Sequence, residues 1–268
     1  MTTDALPVDW QSLARWHPDA GTSQASLRGM RCGQAVCEGV GVHRRVASPL
    51  PHEMVMSDAL PIVYLARHGE TAWTISRQHT GLTDLPLTAQ GEAEAARLGQ
   101  RLEGLTLAAV LTSPLKRAVR TCELAGFGSA ADIEPDLVEW NYGAYEGRTS
   151  TEIHAERPDW QLFRDGCPEG ESPEQIGARA DRVIHRVRAI DGNTLVFSSG
   201  HFLRVFAARW LGLPPGAGRC FLLGTASLSA MGYEHDRSDP VIRFWDEMPD
   251  ERRVSPAPAH RRRGKVRR

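Results

Sequence analysis

Residues 61–250 alternate between short apolar runs and longer segments in which apolar residues recur at helical spacing, whereas residues 1–60 show neither period. The clearest short run, at 62–66, is β-rich and predicts a buried strand. Strands that alternate with helices along a chain predict a sheet that is covered by helices on both faces. The further predicted strands are 108–111, 194–198 and a final hairpin-like pair, 227–233 and 241–245.

Helical spacing and capping residues predict four helices between these strands. Thr88 is a capping residue at the start of one helix, and Ser113, followed by a proline, is predicted to cap the next. Ser172 begins a third helix with a capping-box pattern. The predicted helices are 88–104, a helix from 113 onwards, a helix from 172 onwards and 202–213.

The two ends of the chain differ from this patterned region. Residues 1–60 are rich in Gly, Ser, Ala and Pro and are predicted to be a disordered leader, with Met54 or Met56 as an alternative translation start. From Arg252 onwards the chain carries eight Lys or Arg and no acidic residue, which predicts a basic disordered tail over 251–268. Residues 61–250 are therefore the predicted folded domain.

Composition and charge exclude several classes of protein. With 41% hydrophobic and 24% charged residues, the chain has a globular rather than a fibrous or disordered composition. The net charge is −1, so the eight positive charges of the tail leave −9 on residues 1–251, which disfavours nucleic acid as a partner. We find no apolar run of the ~18–20 residues that a membrane helix needs. The start also lacks the pattern of a signal peptide, so we expect a cytoplasmic protein.

The five cysteines fit neither a disulfide framework nor a zinc site. Cys32 and Cys37 lie close together with His43 nearby, but no second pair of ligands follows at zinc spacing. We therefore predict no metal site and no cofactor.

Charged residues and histidines collect where predicted strands turn into helices, the edge at which α/β sheets hold active residues. Arg67 and His68 follow the first strand, Arg117 lies in the first turn of the helix after the second, and residues 198–204 follow the third. Arginine supplies a permanently charged, forked donor, and neutral histidine supplies a nucleophile near pH 7. A cation in the first turn of a helix is unfavourable for the helix alone, so Arg117 indicates an anionic ligand. Glu139 adds a carboxylate between the second and third junctions.

The motifs around these junctions resemble those of the histidine phosphatase superfamily, within its phosphoglycerate-mutase-like group and most like its sugar-bisphosphatase side. The resemblance spans residues 62 to about 247 and implies an α/β fold, a three-layer α/β/α sandwich with a mixed, mostly parallel sheet. It also implies metal-independent hydrolysis of a small phosphorylated metabolite, a sugar phosphate or bisphosphate. The matching motifs are RHGET at 67–71, HTGLTDLPLT at 79–88, TSPLKRAVRT at 112–121, EWNYGAYEG at 139–147 and SSGHFLR at 198–204.

The same resemblance implies roles for individual residues. His68 corresponds to the histidine that carries the phosphoryl group, Arg67 and Arg117 resemble the phosphate clamps, and Glu139 resembles the general acid. A transferring phosphoryl group spreads negative charge over its equatorial oxygens, which two guanidinium groups can hold without Mg²⁺. The candidates for the substrate pocket are Thr74, His79, Thr80, Gly81, Tyr142 and Gly200.

One position departs from the family pattern. The family normally has a second catalytic histidine directly before the glycine at the end of the third strand, where this chain has Ser199. A serine donates one hydrogen bond and brings no positive charge. His201, two residues later, either approaches the phosphoryl group or points along the new helix toward the substrate. Ser199 and His201 are both candidates for the second-histidine role.

Two alternatives to a phosphatase remain open. One is a phosphoglycerate mutase, although the stretch after the Glu139 motif is shorter than in the family's cofactor-dependent mutases. The other is a catalytically weak protein that binds phosphorylated ligands, for which Ser199 is the chief support. The sequence leaves the exact substrate and the oligomeric state open.

Overall fold

The structure, a computed structural model, describes residues 60–248. The predicted leader up to residue 59, with its two cysteines, and the predicted basic tail lie outside the described residues. Within 60–248, no helix is long and apolar enough to cross a bilayer. The strands of this range are β1 (Val63–Arg67), β2 (Ala109–Thr112), β3 (Ala131–Ile133), β4 (Thr194–Ser198), β5 (Leu228–Tyr233) and β6 (Pro240–Glu247). Its α-helices are α1 (Ala72–Ser76), α2 (Ala89–Leu102), α3 (Lys116–Leu124), α4 (Ser150–Glu156), α5 (Leu162–Asp165), α6 (Pro173–Arg188) and α7 (Gly200–Trp210).

The strands form one mixed sheet in the order β3-β2-β4-β1-β5-β6. The first four strands of this order are parallel. Strand β5 pairs antiparallel with β1, and β6 pairs antiparallel with β5. Residue Arg67 is paired with Ser198, and Thr112 with Phe197, so β1, β4 and β2 end at the same edge of the sheet. The mixed, mostly parallel sheet that the sequence implied is confirmed.

Helices pack on both faces of this sheet. Because successive strand residues point to opposite faces, Leu65 and Val196 join a core cluster with α6 and α7, whereas Ala66 and Phe197 join a second cluster with α2 and α3. Each large apolar side chain buried in this way contributes about 1.5–3 kcal/mol to stability. The expected three-layer sandwich is therefore confirmed.

Two of the predicted helix caps are confirmed, and one is wrong. Thr88 accepts a hydrogen bond from the third residue of α2, and Ser172 forms a capping box at the start of α6. Ser113 does not cap α3, which begins at Lys116. The reason is that the N–H of Ser113 still bonds across the sheet to the carbonyl of Phe197 at 2.9 Å, so the chain turns into the helix two residues later.

The remaining differences concern short or polar segments. Helix α7 begins at Gly200, two residues before the predicted start. The prediction missed these residues because the first turn contains a glycine and a histidine that lie outside the apolar pattern. Strand β3 has three residues and helices α1 and α5 have five and four, which is too short for a period to be recognised. These short elements nevertheless position part of the candidate site.

Candidate active site

The edge at which β1, β4 and β2 end carries the three junctions that the sequence singled out. His68 follows β1 directly, and its N–H donates to the carbonyl of Ser198, the last residue of β4, at 3.0 Å. Ser199 follows β4 and precedes α7, and Arg117 lies in the first turn of α3, after β2. The predicted meeting of the strand ends is therefore confirmed.

His68 is a buried, neutral histidine with one free ring nitrogen. Its side chain is 3% exposed, and Nδ1 lies 2.8 Å from the carbonyl oxygen of Gly69. Because a carbonyl only accepts, Nδ1 carries the proton and Nε2 carries the lone pair. Burial, together with the positive charges of Arg117 and Arg67, holds the pKa of His68 well below its usual range. This arrangement presents an uncharged nucleophile at Nε2.

Arg67 lies beside this nucleophile. One of its terminal nitrogens donates to the carbonyl of Leu223, while the buried Nε has no partner within residues 60–248. Burial lowers the pKa of the guanidinium, and the nearby carboxylate of Glu139 opposes that effect. A buried donor without a partner is rare, and here it leaves Arg67 free to bond to an anion.

The guanidinium of Arg117 is held by the backbone carbonyls of a loop. Its side chain is fully buried, and its terminal nitrogens donate to the carbonyls of Thr83, Thr80 and Gly81 at 3.0, 3.1 and 2.8 Å. A Cβ on Gly81 would stand only 2.5 Å from the carbonyl oxygen of Trp140, so this loop position requires glycine. The sequence predicted that Gly81 lines the substrate pocket, but Gly81 instead supports Arg117 through its carbonyl and is not among the lining residues.

Glu139 lies against the first turn of α7 and is 4% exposed. Its Oε1 accepts from the N–H groups of Trp140 and Phe202 at 2.8 and 2.7 Å, and Oε2 accepts from the N–H of His201 at 2.9 Å. Oε2 therefore has one protein donor and Oε1 has two. If Glu139 transfers a proton, Oε2 is the oxygen with room to carry it.

His201 bonds to Tyr142, and this bond determines which ring nitrogen carries the proton. The phenolic oxygen lies 2.5 Å from His201 Nδ1. Burial raises the pKa of Tyr142 well above its usual range and lowers that of His201 well below its own. The phenol therefore donates, Nδ1 accepts, and His201 is neutral with its proton on Nε2. The sequence left open whether His201 approaches the phosphoryl group or points toward the substrate. In the structure His201 lines the cavity, and its neutral ring brings no positive charge.

Ser199 is fully buried. Its Oγ has no partner among the described residues, and it does not line the cavity in front of His68. It forms the N-cap position of α7, yet its side chain makes no capping bond. The position where the family has its second histidine therefore contributes no charge to the site.

A cavity of about 260 Å³ opens in front of Nε2. Nine of the predicted site residues line it, whereas Arg117, Gly81 and Ser199 are not among its lining residues. Sequence analysis missed several other lining residues. Of these, Arg204 was predictable, because it follows Gly200 by four residues on the same helix and residues at that spacing share a face. The predicted lining residues are Arg67, His68, Thr74, His79, Thr80, Glu139, Tyr142, Gly200 and His201. The missed ones are Trp73, Arg77, Gln78, Ser150, Arg204 and Leu223.

A second cavity of about 650 Å³ adjoins the first and shares His79, Ser150 and His201 with it. The ring of His79 packs against Tyr142 at 4.7 Å and Trp160 at 5.7 Å between centroids. Burial lowers the pKa of His79 to about 4. The boundary that the two cavities share therefore includes the neutral rings of His79 and His201.

The arginines of this site have no carboxylate partners. Within residues 60–248, none of Arg67, Arg77, Arg117 and Arg204 forms an ion pair with an acidic side chain. Arg204 instead donates to the carbonyls of residues 218 and 219 and packs over the ring of Phe163. Three arginines and one carboxylate, Glu139, line the cavity, and this excess of positive charge favours anionic ligands.

Comparison with known proteins agrees with this geometry. Residues 63–247 match the family profile described as the histidine phosphatase superfamily (branch 1). The chain belongs to this superfamily. Membership assigns it a class of reaction, the hydrolysis of phosphoric monoesters, and the phosphoglycerate-mutase-like fold expected from the sequence is thereby confirmed.

Two curated relatives and one solved structure illustrate the match. The chain is 40% identical over 175 residues to an acid phosphatase of Mycobacterium tuberculosis, covering 64% of this chain and 86% of the relative. It is 37% identical over 191 residues to a sedoheptulose 1,7-bisphosphatase of Saccharomyces cerevisiae, covering 59% and 70%. A solved structure of an open reading frame from M. tuberculosis superposes with a TM-score of 0.67 at 36% identity, covering 71% of this chain and 99% of that one.

Proposed function

We propose that this superfamily member is a metal-independent phosphatase that hydrolyses a sugar phosphate or bisphosphate through a phosphohistidine on His68. The observation that carries the proposal is the neutral His68, whose unprotonated Nε2 adjoins a cavity with unpaired arginines. The similarity to a protein named sedoheptulose 1,7-bisphosphatase supports the substrate class.

The proposed reaction has two displacements at phosphorus. In the first, Nε2 of His68 forms a bond to phosphorus, the ester P–O bond breaks, and Oε2 of Glu139 donates a proton to the leaving alkoxide. In the second, a water oxygen forms a bond to phosphorus, the Nε2–P bond breaks, and Glu139 takes up a proton from the water. Inorganic phosphate leaves, and His68 is neutral again. Arg67 and Arg117 neutralise the charge on the equatorial oxygens in both steps, which is the part that Mg²⁺ plays in other phosphoryl-transfer sites.

The cavity charge and size favour a substrate with a second anionic group. Arg67 and Arg117 are the proposed clamps for the reacting phosphoryl group, and Arg77 and Arg204 add two more positive charges to the lining. The adjoining cavity, bounded by His79 and His201, gives room for a sugar beyond the reacting phosphate.

A turnover screen tests this proposal. EDTA-treated protein is incubated with sugar phosphates and bisphosphates, released phosphate is measured, and acid-labile phosphohistidine is trapped in the same samples. We expect turnover that EDTA does not change, and a His68→Ala variant that folds but makes neither phosphate nor phosphoenzyme.

Three results contradict the proposal. A requirement for added divalent metal excludes charge neutralisation by arginine alone. Isomerisation of phosphoglycerate without net hydrolysis supports a mutase, and tight binding of phosphate esters without turnover supports a ligand-binding protein.

A further inference from the structure

The loop of residues 222–227, which leads into β5, forms the back of the site. The carbonyl of Leu223 accepts from the guanidinium of Arg67, and the N–H of Ala226 donates to the carbonyl of His68 at 3.0 Å. Leu223 also lines the cavity. The direction of the Arg67 guanidinium and the backbone of the nucleophile both depend on where this loop lies.

Asp246, near the end of β6, holds the loop. Its Oδ1 accepts from the N–H of Gly224 at 2.6 Å. The N–H of Gly224 belongs to the same peptide group as the carbonyl of Leu223, so the carboxylate and the guanidinium bind the two ends of one peptide. The negative charge of Asp246 also lies close enough to Arg67 to oppose the effect of burial on its charge.

The backbone at Asp246 is unusual for an edge strand. Its φ is +57°, in the left-handed region that non-glycine residues rarely adopt, and its N–H donates to Ser229 Oγ at 3.0 Å. The pairing of β5 with β6 also shifts register around Ala230. Bulges beside active sites re-aim side chains, and strained backbone persists where the surrounding contacts fix it. Here the re-aimed side chain is the one that reaches the loop.

We propose that Asp246 is a positioning residue for Arg67, which it places through the Leu223–Gly224 peptide without touching the substrate. The inference rests on the proposed function, because it assigns Asp246 to the phosphate clamp of that reaction. A purely structural role for Asp246 would affect folding alone, whereas a positioning role changes phosphate recognition by way of Arg67.

Substitutions at Asp246 separate the hydrogen bond from the backbone conformation. Asp246→Asn keeps the Oδ1 acceptor, and asparagine tolerates a positive φ. Asp246→Gly removes the acceptor but suits the positive φ. Asp246→Glu is a milder second variant that keeps the charge and displaces it by one methylene. Glu247→Ala is the matched control, since it removes an ion pair with Arg101 from the same strand end and leaves the loop untouched.

The measurements are kcat and KM with p-nitrophenyl phosphate, the Kd of inorganic phosphate by calorimetry, and the melting temperature. We expect Asp246→Asn and the Glu247 control to stay within about threefold of the parent in kcat/KM. Asp246→Gly should lose about tenfold or more and bind phosphate more weakly, because small misplacements of a positioned group carry losses of up to ~10²-fold. Asp246→Glu should fall between them.

A double-mutant cycle then tests whether the effect passes through Arg67. In an Arg67→Gln background, Asp246→Gly and Asp246→Glu should cause no further loss in kcat/KM. An equal loss in both backgrounds, or an Asp246→Asn variant as impaired as Asp246→Gly, overturns the inference. If the parent protein neither binds phosphate nor turns over any ester, the proposed function fails and the inference with it. If the parent does both and the Asp246 variants match it, the inference alone fails.

Discussion

His68 stays uncharged over a wider pH range than an exposed histidine, and this sets the acid side of the activity profile. Its nucleophilic form is the neutral ring, and burial beside Arg117 and Arg67 lowers its pKa well below 6.5. We therefore expect kcat/KM to hold its plateau as pH falls through 6.5 and to decline only where His68 takes up a proton. A pH profile measured with a substrate that stays ionised checks this, and an acid limb at or above pH 6.5 contradicts it.

The same shift predicts a loss of stability in acid. Below about pH 6.5 the unfolded chain protonates its histidines, whereas folded His68, His79 and His201 resist protonation, so the unfolded state binds more protons. The free energy of unfolding should then fall as pH decreases below 6.5 and level off at higher pH. Denaturant unfolding across this range measures the slope, and a His79→Gln variant should reduce it.

Ser199 provides a third residue-level prediction. Because His201 is neutral and Ser199 brings no charge, the site lacks one cation where transition-state charge develops. Ser199→His should raise kcat by roughly 10-fold, provided that the buried position accepts the ring. Ser199→Gln, a neutral side chain of similar size, is the control and should not raise kcat.

His201 is tested in parallel. Since it lines the cavity as a neutral ring, His201→Ala should raise KM more than it lowers kcat. A loss in kcat of ~10²-fold would show instead that His201 has the second-histidine role. No change in either constant from Ser199→His or His201→Ala would mean that this strand end is not part of the site.

At the level of elements, the loop that carries Thr80, Gly81 and Thr83 holds Arg117 by three carbonyls. Gly81→Ala would place a Cβ 2.5 Å from a backbone oxygen, so the loop must shift. We expect a loss of about 1–3 kcal/mol in stability and of roughly 10-fold or more in kcat/KM. Leu82→Ala, at a half-exposed position in the same loop, should leave both unchanged. Normal kcat/KM in Gly81→Ala would show that Arg117 does not need this support.

The elements that were predictable from the sequence are those with many periodic residues. Helices α2 and α6 and the core strands have enough apolar positions, and enough capping residues, for their pattern to be recognised. Helices α1 and α4 were missed because they are short, and with them Trp73 and Ser150, which line the cavity. The start of α3 depends on a bond between Ser113 and β4, a long-range contact that no local pattern contains.

The site itself was predictable as a set of residues but not as a geometry. The motifs brought His68, Arg67 and Glu139 together, and the structure places all three around one cavity. That Ser199 is buried away from the cavity lining and that Tyr142 bonds to Nδ1 of His201 are consequences of packing between distant segments. Sequence spacing does not contain such information.

For the whole molecule, the predicted domain limits remain a prediction. The family match covers residues 63–247, and the prediction rests on the sequence outside 60–248, which lacks periodic apolar residues. A chain of residues 56–251 should keep the melting temperature and the activity of the full chain. Thermal unfolding and kcat/KM of the two proteins test this, and loss of folding without the leader contradicts it.

The position of β1 in the sheet has a consequence for protein synthesis. Of the strands within residues 60–248, this one leaves the ribosome first, yet its neighbours are β4 and β5, with Val63 paired to Thr194 and Met231. During translation both edges of β1 therefore stay unpaired, and its apolar side chains stay exposed, until more than half of the domain has been made. This condition favours aggregation or chaperone binding. Messages that end before Thr194 yield chains that lack β4, so β1 cannot form the parallel pair that positions Arg67, the proposed phosphate clamp.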